Sequence, residues 1–100
     1  MEDNREYSDT PERRLWKKVV IAAIVDASSL RMKYVNTSHH NRENVWSGEM
    51  KNMKYQVDHE WFATICWMAD VNYWKSRETV HKILDGKIAY ENLARLRAYY

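Results

Sequence analysis

The sequence predicts an all-α protein of four to five short helices, with a helix-turn-helix-like unit at 58–85. Three observations point there. The 100 residues include only two Gly and one Pro, so the chain has little of the punctuation that marks turns between strands. Apolar residues recur at three- and four-residue steps in several separate stretches, while alternating apolar and polar runs are absent. Two of those stretches, 59–69 and 73–84, meet across a junction short enough to force a steep corner. A chain of this length forms one domain with a modest core, expected at 10–100 behind a disordered polar tail at 1–9.

The first helix opens on Thr10-Pro11-Glu12. This supplies an N-cap acceptor, a proline at the first helical position, where its missing N–H is no loss, and an acid in the first turn. It is expected to run over 11–28, with Trp16, Val19, Val20, Ala23, Ile24 and Ala27 on its main apolar face. Ile21 and Val25 fall on the far side. They make this either a central core helix or one that buries a second face in a twin subunit, so they are the candidate oligomer face of a homodimer. The stems of Lys17 and Lys18 would lie over its edges.

From 30 to 43 the chain turns polar and reads as a loop, clearest at Asn36-Thr37-Ser38-His39-His40-Asn41. The histidine pair is not read as a metal site, because adjacent side chains diverge and no spaced Cys or acid accompanies them. Trp46, Met50, Met53 and Val57 then repeat at steps of 4, 3 and 4, which predicts another short helix despite Gly48. Asp58 is a candidate N-cap for the next, whose stripe is Phe62, Ile65, Cys66 and Ala69. Asp70 and Val71 form the corner, with Val71 plugging it. Asn72 is the next candidate cap, and Tyr73, Ser76, Val80, Ile83 and Leu84 share one arc of the helix that follows. Gly86 suits a left-handed residue ending it. Beyond lies a last helix carrying Ile88, Leu93, Leu96, Tyr99 and Tyr100, with Arg95 and Arg97 near its C-terminal end.

Nothing in the sequence points to catalysis or to a cofactor. Asp58, His59 and Glu60 are consecutive and diverge, whereas an acid/base pair needs both groups within hydrogen-bond reach of one substrate. Cys66 sits on an apolar stripe, where it acts as a small hydrophobe, and no Gly-rich phosphate loop is visible. One cysteine gives no internal disulfide and fits a reducing cytoplasm. The longest apolar run, 19–25, is seven residues, far too short to span a bilayer, and the acidic start is unlike a signal peptide.

Charge is unevenly distributed along the chain. The net value is only +2, yet 31–54 carries five basic residues against two acidic, and 72–100 carries six against three. The outer face of the helix at 72–84 would present Trp74, Lys75, Glu78, Thr79, His81 and Lys82, with Arg77 and Lys87 adding cations. In a DNA-binding helix-turn-helix this face would enter the major groove, its first turns touching base edges and its lysines holding phosphates.

The opening ERRLWKKVVIAAIVDA at 12–27, followed by WF-x-x-IC-x-x-A at 61–69 and a capped helix with an Arg, resembles small bacteriophage and prophage proteins. Their second half reads F-x-x-[VI]-C-x-x-A-G-[LV]-[DN]-P-x-x-[VI]-R. Phe62, Ile65, Cys66, Ala69, Val71, Asn72 and Arg77 match it. Asp70 stands where Gly is usual, Tyr73 where Pro is usual and Ser76 where an aliphatic is usual. The resemblance covers about half the chain and implies phage origin, a helix-turn-helix and a place in the cytoplasm of a bacterial host. Two functions are then in view. One is duplex DNA binding in phage regulation or DNA handling; the other is a small effector that binds a host protein such as a polymerase or a defence complex.

Overall fold

In a computed structural model of the protein the described residues are 10–89, 91–93 and 95; the tail expected at 1–9 lies outside them. Four helices follow in order: α1 (Pro11–Asn36), α2 (Arg42–Asp58), α3 (Glu60–Ala69) and α4 (Tyr73–Leu84). Residues 91–93 are helical again, and no strand occurs among the described residues. The fold is therefore all-α, in line with the expected class. Of the expected last helix, Ile88 packs against the core and Leu93 is buried, while Leu96, Arg97, Tyr99 and Tyr100 lie outside the described residues.

Helix α1 makes the most extensive contacts with the other three. At 26 residues it is roughly 39 Å long, and it begins as expected, with Thr10 Oγ1 accepting from the Arg13 N–H at 3.2 Å and Pro11 in the first turn. Its end differs from expectation, because it continues past Ser28 to Asn36. Leu30 and Tyr34 prolong the buried face set by Ala27, and the buried Ser28 hydroxyl donates to the Ile24 carbonyl at 3.1 Å. The Ser28 hydroxyl is thereby satisfied in the core. The polar residues that suggested a loop, Arg31, Lys33 and Asn36, lie along the more exposed flanks of a continuing helix. The true loop is 37–41. Thr37 closes α1 by donating its hydroxyl to the Lys33 carbonyl at 2.7 Å, and it accepts from the Trp46 indole at 2.6 Å.

In α2 only Val57 is fully buried, with Trp46, Met50 and Met53 packed against the core on the expected stripe. Asp58, expected to cap the following helix, is instead the last residue of α2. His59 takes the capping position with extended backbone (φ −83°, ψ 153°) and makes no side-chain cap bond. The reason is that the Asp58 carboxylate is engaged by Arg77 and His81 of α4.

The corner between α3 and α4 follows expectation more closely. Asp70 is the non-Gly residue with positive φ among those described (φ 59°, ψ 42°). Two backbone bonds close the end of α3, Val71 N–H to Cys66 carbonyl at 3.0 Å and Asp70 N–H to Trp67 carbonyl at 3.1 Å, the paired pattern of a Schellman motif. Val71 packs against the core, and Asn72 caps α4 by accepting from the Lys75 N–H at 2.9 Å. Tyr73, standing where Pro is usual in the resembled proteins, donates its hydroxyl to the Val57 carbonyl at 3.0 Å. It satisfies a carbonyl that the end of α2 leaves unpaired. At the other end of α4, Gly86 is left-handed (φ 76°), and a Cβ there would fall 2.4 Å from the Arg31 guanidinium, which donates to the Leu84 carbonyl at 3.4 Å.

These elements close over one core. Phe62, Cys66 and Ala69 of α3 and Val80, Ile83 and Leu84 of α4 meet Val20, Ile24, Ala27 and Leu30 of α1. Burial pushes the Cys66 thiol pKa up, partly offset by the Ser76 hydroxyl beside it. Ile65 is half-buried at the margin, and so are Ile21 and Val25, because α1 is covered along its flanks as well as on its main face. No helix among the described residues is long and apolar enough to cross a membrane.

Candidate nucleic-acid interface

Helix α4 is the element whose two faces differ most. Its inner face, Val80, Ile83 and Leu84, is buried against α1, which fixes how the helix is rotated. The residues a third of a turn or more away must then point outward. Trp74 is 70% exposed, and Lys75, Glu78 and Lys82 are exposed with it. Trp74 leans on the Tyr73 ring, centroids 5.0 Å apart, which orients the indole at the start of the helix. Lys82 Nζ lies 3.4 Å from Glu78 Oε2, an exposed pair one turn apart. Thr79 is half-buried, its hydroxyl returned to the Lys75 carbonyl at 2.8 Å. Lys87, beyond Gly86, is exposed.

Arg77 and His81 are placed differently. Both reach back to one oxygen of Asp58, Arg77 Nε at 2.7 Å and His81 Nε2 at 2.7 Å, and both are only half exposed. Burial on its own would raise the Asp58 pKa, but the hydrogen bond and charge of His81, together with Arg77, outweigh it. The carboxyl is held below its ordinary value of 3.8. Lys54 pairs with Asp85 in the same way just past the end of α4, and that hydrogen bond holds Asp85 low against the effect of burial. These two contacts tie the middle and C-terminal end of α4 to the last turn of α2.

The eight sequence-predicted residues thus separate into two sets. Trp74, Lys75, Glu78 and Lys82 form one outer stripe, with Thr79 at its border and Lys87 beyond the helix end. Arg77 and His81 belong to a clamp between helices. Asp58 was missed as the centre of that clamp. The spacing of Arg77 and His81, four apart, puts them on one face of α4 but does not name the acid they meet.

A second exposed aromatic stands on α3. Trp67 is 81% exposed and lines a cavity of about 480 Å³ with Arg13, Trp16, Met68 and Asp70. Among the described residues no group of three His, Cys, Asp or Glu is placed to hold a metal ion. Comparison of the chain with protein-family models, with curated proteins and with solved structures gives no match.

Proposed function

We propose that this is a non-catalytic binding protein that lays α4 into duplex DNA. The observation that carries the reading is the rotation of α4: the buried Val80, Ile83 and Leu84 leave Trp74, Lys75 and Lys82 on a capped helix facing outward. A tight corner leading into a capped, cation-bearing helix is the arrangement that helix-turn-helix readers use. Its N-terminal residues, Trp74 and Lys75, would meet base edges, and Lys75, Lys82 and Lys87 would neutralise phosphates. The resemblance to phage proteins supports a role in phage regulation or DNA handling in the cytoplasm of a bacterial host. With Ile21 and Val25 half-buried, a homodimer would join through what α1 leaves uncovered, placing two α4 helices on half-sites about one DNA turn apart. The test is a mobility-shift titration of random duplex at about 50 mM and 200 mM salt. Binding that is clear at the lower value and lost at the higher is expected; no binding at the lower value ends the reading.

One observation favours a second reading. Trp67 and Trp74 are among the most exposed large apolar side chains of the described residues, and tryptophan is the residue type most often found as an anchor in protein interfaces. A small effector that docks on a host polymerase or defence complex would use them together. Trp67→Ala separates the two, since it lies outside the α4 stripe: it leaves DNA affinity unchanged if α4 alone reads the duplex.

A further inference from the structure

The α4 face leaves unused a groove built by the other three helices. It lies between α1, α2 and α3, encloses about 350 Å³, and no residue of α4 lines it. Leu30, Val57 and Phe62 form a buried floor, Met53 is half-buried beside them, and Trp61 stands at the edge. The Trp61 indole donates to Gln56 Oε1 at 3.1 Å, which holds that wall upright. Asp26 from α1 and Glu49 from α2 border the groove, and both are exposed. Several other carboxylates in the fold have partners: Glu43 bonds Tyr34, Asp58 takes Arg77 and His81, Asp70 faces Arg13, Glu78 meets Lys82 and Asp85 meets Lys54. Asp26 and Glu49 make no ion pair or hydrogen bond among the described residues.

We infer that this groove docks a basic amphipathic helix of a partner protein, apolar anchors on the floor and Lys or Arg beside Asp26 and Glu49. These two carboxylates, one from each flanking helix and unpaired among the described residues, are what select for such a partner. They would attract a cationic rim and repel phosphate, so this surface complements the α4 face rather than extending it. The volume is at the low end of the roughly 300–1,000 Å³ typical of binding pockets, enough for a few anchor side chains and not for a whole domain. The described residues offer no strand edge for an extended peptide to join, and a groove between helices with an apolar floor and a charged rim suits an amphipathic helix with anchors at i, i+3 and i+4. A protein could then hold DNA on α4 and recruit a partner through α1 and α2. The inference does not depend on the DNA reading.

The experiment uses the full chain and a labelled helical peptide of about 14 residues, patterned with Leu at i, i+3, i+4 and i+7 and Lys elsewhere, read by fluorescence anisotropy. Saturable one-to-one binding that weakens with salt is expected, with D26K/E49K losing about tenfold or more in affinity and E91K, which is away from the groove, unchanged. The same peptide with Glu in place of Lys should not bind. Should D26K/E49K fail to fold, as judged by circular dichroism, D26N/E49Q takes its place with a smaller loss in the same direction. No binding, equal binding of the Glu peptide, or an unchanged affinity in the charge-altered variants would overturn the inference. So would sedimentation showing that the wild-type chain pairs with itself and that D26K/E49K abolishes the pairing, since the occupant would then be a second copy.

Discussion

Helix α3 has a junction at each end, and the two are closed by different means. At 70–72 the chain turns through local chemistry: Asp70 takes the left-handed conformation, Val71 and Asp70 bond back to Cys66 and Trp67, and Asn72 caps the next helix. At 58–59 His59 makes no side-chain cap bond, and the local ties are the His59 N–H to the Gln56 carbonyl at 3.3 Å, the Phe62 N–H to the His59 carbonyl at 3.1 Å and the Trp61 indole to Gln56 Oε1 at 3.1 Å. Added to them are ties from far along the chain, with Arg77 and His81 on Asp58 and the Tyr73 hydroxyl on the Val57 carbonyl. The second junction therefore draws on α4 as well as on its own residues, whereas the first is closed by its own residues. In physical terms α4 is both the proposed recognition element and the lock on the preceding corner.

The largest expected effect is on what both junctions share. Phe62 is fully buried between them and stands 6.1 Å from the Tyr73 ring. Phe62→Ala should cost about 3–5 kcal/mol, read as a lower midpoint in urea with the slope retained. A loss under about 1 kcal/mol would mean that the two corners do not rest on a common core. Next in size is the local lock. Asn72→Ala removes the cap and should cost about 1 kcal/mol. At the same corner Asp70→Gly relieves a left-handed L-residue and should raise stability by up to about 1 kcal/mol, its exposed contact with Arg13 at 3.9 Å contributing little. If Asp70→Gly destabilised the protein, the turn would be held by the carboxylate and not by backbone geometry.

The distant lock should be weaker at neutral pH and pH-dependent. Asp58 is partly exposed, so Asp58→Asn should cost no more than about 1 kcal/mol. The sign of the pH dependence follows from the depressed pKa. Folded Asp58 gives up its proton more readily than unfolded Asp58, so its contribution is complete above the ordinary value of 3.8 and is lost as pH falls through the lower folded value. Stability curves of wild type and Asp58→Asn should converge in acid, below about pH 4, and run apart above it. Parallel curves throughout would remove Asp58 from the clamp.

What could be read from the sequence follows the same division. Thr10-Pro11, Asp70-Val71-Asn72 and Gly86 act through their own backbone or the next turn, and the helix ends they mark lie where the sequence put them. The stripes at 46–57 and 62–69 were legible because burial follows helical period. Residues 29–36 were not, since Arg31, Lys33 and Asn36 look like a loop until Leu30 and Tyr34 are seen to continue the buried face of Ala27. Asp58 was misplaced for a related reason. A short acid before an apolar stripe has the chemistry of a cap, and only the packing of α4 shows that a guanidinium and an imidazole have claimed it. Of the candidate interface, the exposed Trp74, Lys75 and Lys82 were legible from the period of α4; the diversion of Arg77 and His81 was not.

The central claim is that the outer stripe of α4, and not its clamp residues, meets DNA. It is tested most directly by the slope of log affinity against log salt for duplex binding, measured for wild type, Lys75→Ala, Lys82→Ala and Arg77→Gln, each checked for folding by circular dichroism. Three phosphate contacts, from Lys75, Lys82 and Lys87, predict a slope of about −2.7 for wild type. Each lysine substitution should flatten it by about one unit, while Arg77→Gln, already committed to Asp58, leaves it unchanged. A slope that Arg77→Gln flattens while Lys75→Ala and Lys82→Ala leave it intact would contradict the account.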